Sequence, residues 1–147
     1  MQSTDFDSTV RLAVYRHIVQ RGVVPRIVEL AVEAGHTHDD VREALQRLAA
    51  AHALVLQADG EILMANPFSA VPTAFEVEVG GRRWWGNCIW DALGCVAALA
   101  GSGRVLAACG DCNFAMQVEV REGRVRGEGI AHFALPARRW WDDIVFN

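Results

Sequence analysis

Four cysteines and one aspartate carry most of the chemistry legible in this chain of 147 residues. Cys88 and Asp91 are three positions apart, so on a helix their thiol and carboxylate project to the same side. Cys95, seven residues beyond Cys88, falls within about 60° of both on a wheel of 3.6 residues per turn. A thiol at a helix N-terminus is the type whose pKa falls, which makes it a nucleophile or a soft-metal ligand. A carboxyl beside it in an apolar pocket would keep its proton and serve as a general acid. The same spacing also fits two small core cysteines, with Asp91 capping the helix or pairing with an arginine.

Cys109-Gly110-Asp111-Cys112 is a second constellation, a C-x-x-C in a glycine-containing turn. Two thiolates at this spacing can share a soft cation such as Zn²⁺, Cu⁺ or Hg²⁺. No second Cys or Cys/His pair is spaced to complete a four-ligand zinc site. A thioredoxin-like dithiol is disfavoured, because that motif opens a helix and here the helix precedes it. The turn can equally be structural. Of the histidines, His36 and His38 read as solvated turn residues, and His17 and His52 as core residues among apolar helical neighbours. His132 leads into an aromatic tail. Together with Trp85 and Trp90 it is a candidate pocket residue, although the tryptophans fit core packing equally well.

The elements that must position these groups fall into two halves. From Ser8 to about Leu56 the pattern is helical. Val10, Val14, His17 and Ile18 line one face of a helix ending at Gly22. Pro25 opens a second helix that stops at Gly35, and Thr37 caps a third carrying Val41, Leu45 and Leu48. Two short strands within 53–64 follow, turning at Asp59-Gly60. Three helices and a hairpin outline a winged-helix-like lobe, residues 1–65.

Prolines at 67 and 72 make 65–73 read as a linker. Residues 66–147 then form a small mixed β-sheet domain with one buried helix. Its expected strands are 74–79, 82–85, 104–108, 115–121 and 124–135, with the helix over 87–100. The expected class is α+β.

Composition narrows the functions. Half the residues are hydrophobic (52%) and 22% are charged, which excludes dominant disorder. The fourteen basic residues, all arginine, are outnumbered by eighteen acids, for a formal charge of −4. The third helix begins with Asp39 and Asp40, which would face phosphate, so nucleic-acid binding is disfavoured. No apolar run approaches the ~20 residues that cross a bilayer, and the polar start does not read as a signal peptide. The expectation is a cytoplasmic protein with no membrane partner, whose cysteines serve metal, redox or catalytic chemistry rather than disulfide staples.

Phe68-Ser69-Ala70-Val71-Pro72-Thr73 and the run Trp85-Gly86-Asn87-Cys88-Ile89-Trp90-Asp91-Ala92-Leu93-Gly94 resemble the alkylmercury (organomercurial) lyase family. So do the Cys109–Cys112 turn, Ala131-His132-Phe133, and the ending from Pro136 through Trp140-Trp141-Asp142-Asp143-Ile144. The resemblance covers the second half. It also fits the first, since members carry a winged-helix-like N-terminal domain.

What the resemblance implies is protonolysis of a carbon–mercury bond. Cys88 looks like the mercury-binding thiolate and Asp91 like the proton donor. No cofactor is required. Hg(II), or another soft metal, enters as substrate and product, and cellular thiols are partners. The family's second cysteine would fall near Glu128-Gly129 and is absent. Relatives with the Trp-Trp-Asp-Asp ending also continue into a Thr-Cys segment, whereas this chain stops at Asn147. Cys112, Cys109 or Cys95 must then supply the second sulfur. Two alternatives compete: a repurposed relative that binds a soft metal or small organic ligand without cleavage, and a metal- or thiol-sensing winged-helix regulator.

Overall fold

The structure is a computed structural model and describes residues 3–145. Helix α1 spans Ser3–Arg21, α2 Ile27–Ala34 and α3 His38–Ala50. Val10, Val14, His17 and Ile18 are all buried, as their spacing requires. α1 starts earlier than expected because Phe6 extends the buried face by one more turn and packs its ring on His36. Gly35 ends α2 in the left-handed conformation, returning its N–H to the last turn. α3 opens with a capping box in which Thr37 and Asp40 exchange hydrogen bonds. His17 is a core histidine, its Nδ1 2.9 Å from Glu33 Oε1. His52 is not: it is exposed, and its ring stacks on Trp141 at 4.3 Å.

The wing has three strands: β1 (Val55–Leu56), β2 (Ile62–Ala65) and β3 (Phe68–Ser69). β3 lies inside the stretch expected to be a linker. Asn66-Pro67 is a two-residue turn, joined by a cis peptide bond, that pairs Ala65 with Phe68. Proline does interrupt the ladder here, but as a hairpin turn rather than as a domain spacer. Phe68 is consequently buried.

The second sheet contains β4 (Glu76–Val79), β5 (Arg82–Trp85), β6 (Gly103–Ala108), β7 (Ala115–Arg121) and β8 (Arg124–Arg126) in the order β5-β4-β6-β7-β8. Helix α4 (Ile89–Leu99) connects β5 to β6. The sheet expected to be mixed is antiparallel in every pairing. β5 and β6 do run in the same direction, as a helical crossover demands, but β4 is inserted between them. Gly80-Gly81 and Glu122-Gly123, all at positive φ, make the two tight hairpin turns. β8 is shorter than expected: residues 127–135 leave the sheet as irregular and mostly exposed chain. A 3-10 helix, Ala137–Asp142, follows.

α4 buries one face, Ala92, Cys95 and Val96, against β4 and β6, while Trp90 remains 63% exposed. The core runs without a break from α1–α3 to the second sheet. Arg82 of β5 donates to the Val19 and Gln20 carbonyls at the end of α1. No helix among the described residues is long and apolar enough to cross a membrane.

Candidate active site

The site forms where the end of β5, the start of α4 and the Asn66-Pro67 turn meet. Phe68 bridges to Gly86, which brings the wing beside the residues leaving β5. Gly86 has no room for a side chain: a Cβ there would lie 2.6 Å from Ala92 N. The strand end is thereby pressed on the first turn of α4. Pro67 packs from the other side, 3.2 Å from where a Cβ on Gly94 would sit.

Cys88 is the N-cap of α4, in extended conformation, and its Sγ accepts the Asp91 backbone N–H at 3.5 Å. A helix needs such an acceptor because its first N–H groups lack partners. The thiol and the Asp91 carboxyl thus share one helical turn. Asp91 Oδ2 in turn accepts from Asn87 Nδ2 at 2.9 Å. The same Nδ2 faces Asn66 Oδ1 at 3.1 Å and the Pro67 carbonyl at 3.3 Å. Cys95 is fully buried, its Sγ 3.4 Å from the Pro67 carbonyl. From α1, the Tyr15 hydroxyl donates to the Asn66 carbonyl at 2.8 Å.

Burial raises the pKa of Asp91 above the ordinary carboxylate value, with the Asn87 amide opposing in part. This is the direction in which a carboxyl keeps its proton. The Cys88 thiol is also raised, against the expectation for a helix N-terminus. Loss of hydration outweighs the helix N–H groups, and the neighbouring Asp91 charge adds to the rise. Cys95 is pushed up further by burial and by its proximity to Asp91 and Cys88. Tyr15 is raised by burial, with Asp91 close enough to contribute.

The Cys109–Cys112 turn joins β6 to β7, closed by hydrogen bonds between Cys109 and both Phe114 and Asn113. It leaves the same end of the sheet as Cys88, because β5 and β6 point the same way and both Trp85 and Leu106 stand opposite Glu76. Both thiols are free, and Cys112 is exposed. Backbone N–H groups of Cys112 and Asp111 lower the Cys109 pKa. Among the described residues, no three His, Cys, Asp or Glu side chains are gathered as a metal site. Trp85 is half-buried at the end of β5, while Trp90 and His132 are exposed. Two surface clefts, of about 370 and 270 Å³, lie elsewhere, between Glu78 and Arg121 and along α2.

Sequence reasoning did not single out Asn87, Asn66 or Tyr15. Asn87 directly precedes the cysteine of the motif, which was the available signal. Two of its partners, Asn66 and Pro67, are 20 or more residues away and become neighbours only through the β3 hairpin.

A protein of this kind, three helices and a wing backing a sheet whose crossover helix starts at a Cys-x-x-Asp, has known counterparts. The alkylmercury lyase (MerB) family model matches residues 68–146, more than half of the chain. The chain belongs to the alkylmercury lyase family. A solved structure, the crystal structure of the mercury-bound form of MerB2, is similar with a TM-score of 0.61 and 21% identity over 84% of this chain. That likeness speaks for the fold, and this chain spans 65% of that chain's length. No curated protein matches the sequence.

Proposed function

We propose that this protein is a carbon–mercury lyase that acts by protonolysis, with Cys88 as the mercury-binding thiolate and Asp91 as the proton donor. The observation that carries this reading is the shared helical turn: the Cys88 sulfur accepts the Asp91 N–H, and burial holds the Asp91 carboxyl towards its protonated form. An organomercurial loses its exchangeable ligand to the Cys88 sulfur, and the thiol proton leaves with that ligand. A second sulfur then adds to mercury as its thiolate, its proton having passed to solvent, and weakens the Hg–C bond. That bond's electron pair takes the Asp91 proton, so a C–H bond forms, hydrocarbon departs and Hg(II) stays on sulfur.

The second sulfur is assigned to Cys109 or Cys112. Cys95 is two helical turns from Cys88, about 10 Å along the axis at 1.5 Å per residue. Two sulfurs sharing one soft metal at bonds of about 2.3 Å, the zinc–thiolate length, stand much closer than that. The Cys109–Cys112 turn leaves the same end of the sheet as Cys88, with β4 between their strands, and Cys112 is exposed, so on this reading the turn must close on Cys88 for the two to share mercury. Cellular thiols would take Hg(II) away. Residues 1–65 are read as a winged-helix-like domain and 66–147 as the lyase-like domain, whose Phe68-Ser69 strand completes the wing.

A second reading is favoured by one observation, that Glu128-Gly129 stand where the family's second cysteine would fall. On it, Cys88 retains a soft metal or organic ligand without bond cleavage. The deciding experiment is single-turnover incubation of reduced protein with phenylmercuric acetate and excess thiol, following benzene by gas chromatography. Benzene from the wild type, and none from Cys88→Ser or Asp91→Ala, is the expected result. A folded wild type that binds phenylmercury and releases no benzene would leave the second reading standing.

A further inference from the structure

We propose that Asn87 is a positioning residue: tied to the Asn66-Pro67 turn, and through it to Tyr15 of α1, it holds the Asp91 carboxyl beside the Cys88 sulfur. This inference rests on the lyase reading above and assigns a task within it to residues of both halves of the chain.

The orientation of the Asn87 amide follows from its surroundings. Nδ2 faces the Pro67 carbonyl, Asn66 Oδ1 and Asp91 Oδ2, and the shortest of these contacts, 2.9 Å, is to Asp91. Reversing the amide would aim an oxygen at a carbonyl oxygen. In this orientation Asn87 Oδ1 has no hydrogen-bond partner among the described residues.

α3 provides an internal contrast. Asp40 occupies the same place in its helix as Asp91 does in α4, three residues after the N-cap. Asp40 turns back on the backbone N–H of its own cap, Thr37, at 3.1 Å. That is the ordinary use of an acid at this position. Asp91 is held instead by the side chain one residue ahead of its cap, so its carboxyl is oriented by the turn at 66–67 and not by its own helix. The turn is fixed from α1, because the Tyr15 hydroxyl donates to the Asn66 carbonyl at 2.8 Å. The path from α1 to the proton donor is therefore continuous: Tyr15, Asn66, Asn87, Asp91. It gives the N-terminal helices a part in the chemistry that needs no contact with substrate.

The test uses the full-length reduced protein with phenylmercuric acetate and two readouts. Uptake is followed by the ultraviolet absorbance of the mercury–thiolate bond and turnover by benzene release. Asn87→Ala is expected to take up phenylmercury as the wild type does and to release benzene at least about tenfold more slowly, the scale of loss when a reacting group is displaced by a fraction of an ångström. Tyr15→Phe, which keeps the ring and removes only the donor, is expected to slow release by a smaller factor with uptake intact. Asn87→Gln, which retains the N–H donor, is expected to recover part of the loss. Equal loss of uptake and release in Asn87→Ala and Tyr15→Phe, or release at the wild-type rate, overturns the proposal.

If Asn87→Ala does not fold, or the wild type releases no benzene, the side-chain amide of Asn87 decides the matter in ¹⁵N–¹H spectra. Its two proton resonances should shift in Asp91→Ala and stay in place in Cys112→Ser. No shift in Asp91→Ala means the amide does not hold the carboxyl. Wild-type silence in benzene release with the shift present would refute the lyase reading while leaving the link itself intact.

Discussion

The Trp84 indole N–H of β5 donates to the Ile18 carbonyl in the last turn of α1, at 3.1 Å and wholly within the core. The carbonyl already accepts the Gly22 N–H, so the indole adds a second bond across 66 residues of sequence. With Arg82 on the next two carbonyls, the end of α1 is capped by a strand of the other half. Trp84→Phe is expected to cost about 1 kcal/mol, since the carbonyl keeps one partner. Trp84→Ala should cost about 3–5 kcal/mol, because the buried ring is lost as well. Urea unfolding followed by circular dichroism checks both. A single transition in the wild type would show the halves unfolding together, as their shared core requires.

Asp91 links the site to stability through pH. Its folded pKa lies above the ordinary 3.8 because burial penalises the charge. The native state therefore binds more protons than the unfolded state between those two values. Stability attributable to this group falls as pH rises through that window and stays level above it. Asp91→Asn removes the penalty. The variant should be more stable than the wild type at neutral pH, and the difference should shrink as the pH drops towards 3.8. Thermal unfolding at a series of pH values measures it; a constant difference at every pH would mean the carboxyl carries no such penalty.

Much of the fold is legible locally. Gly22, Gly35 and Thr37 mark helix boundaries by their own backbone and side-chain chemistry, and Gly80-Gly81 marks its hairpin. Cys88 and Asp91 are legible as a pair because helical spacing alone brings them together. What escapes is whatever depends on burial or on distant partners. Asn66-Pro67 reads as a break because proline blocks the ladder, and only the pairing of Phe68 with Ala65 reveals a turn. The Cys88 thiol was expected to be acidic from its place at a helix start. It is the reverse because desolvation, which no spacing reports, exceeds the effect of the helix N–H groups. Residues 127–135 show strand-like composition, yet they follow the edge strand β8 and pair with nothing regular.

The thiols should separate in reactivity. Cys109 is lowered from the ordinary 9.0 by the N–H groups of its own turn, whereas Cys88 and Cys95 are raised by burial. Because the thiolate is the nucleophile, iodoacetamide at neutral pH should label Cys109 first, Cys88 slowly and Cys95 last. As the pH is raised, labelling of Cys109 should level off first and that of Cys88 should go on accelerating to higher pH. Peptide mass spectrometry of timed samples reads the order. Labelling of Cys88 ahead of Cys109 at neutral pH would mean the α4 N-terminus prevails over burial, the opposite of the balance described here.

Gly86 tests whether close packing of β5 on α4 sets the site. A Cβ there would meet Ala92 N at 2.6 Å and Ala92 Cα at 2.7 Å, both backbone atoms that cannot rotate aside. Gly86→Ala must therefore push the first turn of α4 away from the strand end, carrying Cys88 and Asp91 away from the 66–67 turn. Overpacking of this kind costs about 1–3 kcal/mol. Gly110, in the Cys109–Cys112 turn, has open space where its Cβ would be, so Gly110→Ala should leave stability unchanged within about 0.5 kcal/mol. The informative comparison is made under conditions where Gly86→Ala is still folded. There, benzene release should fall much more than the stability loss explains, because the contact to Asn87 depends on where α4 begins. If release instead tracks the folded fraction alone, the strand–helix contact supports the fold and has no separate part in placing the carboxyl.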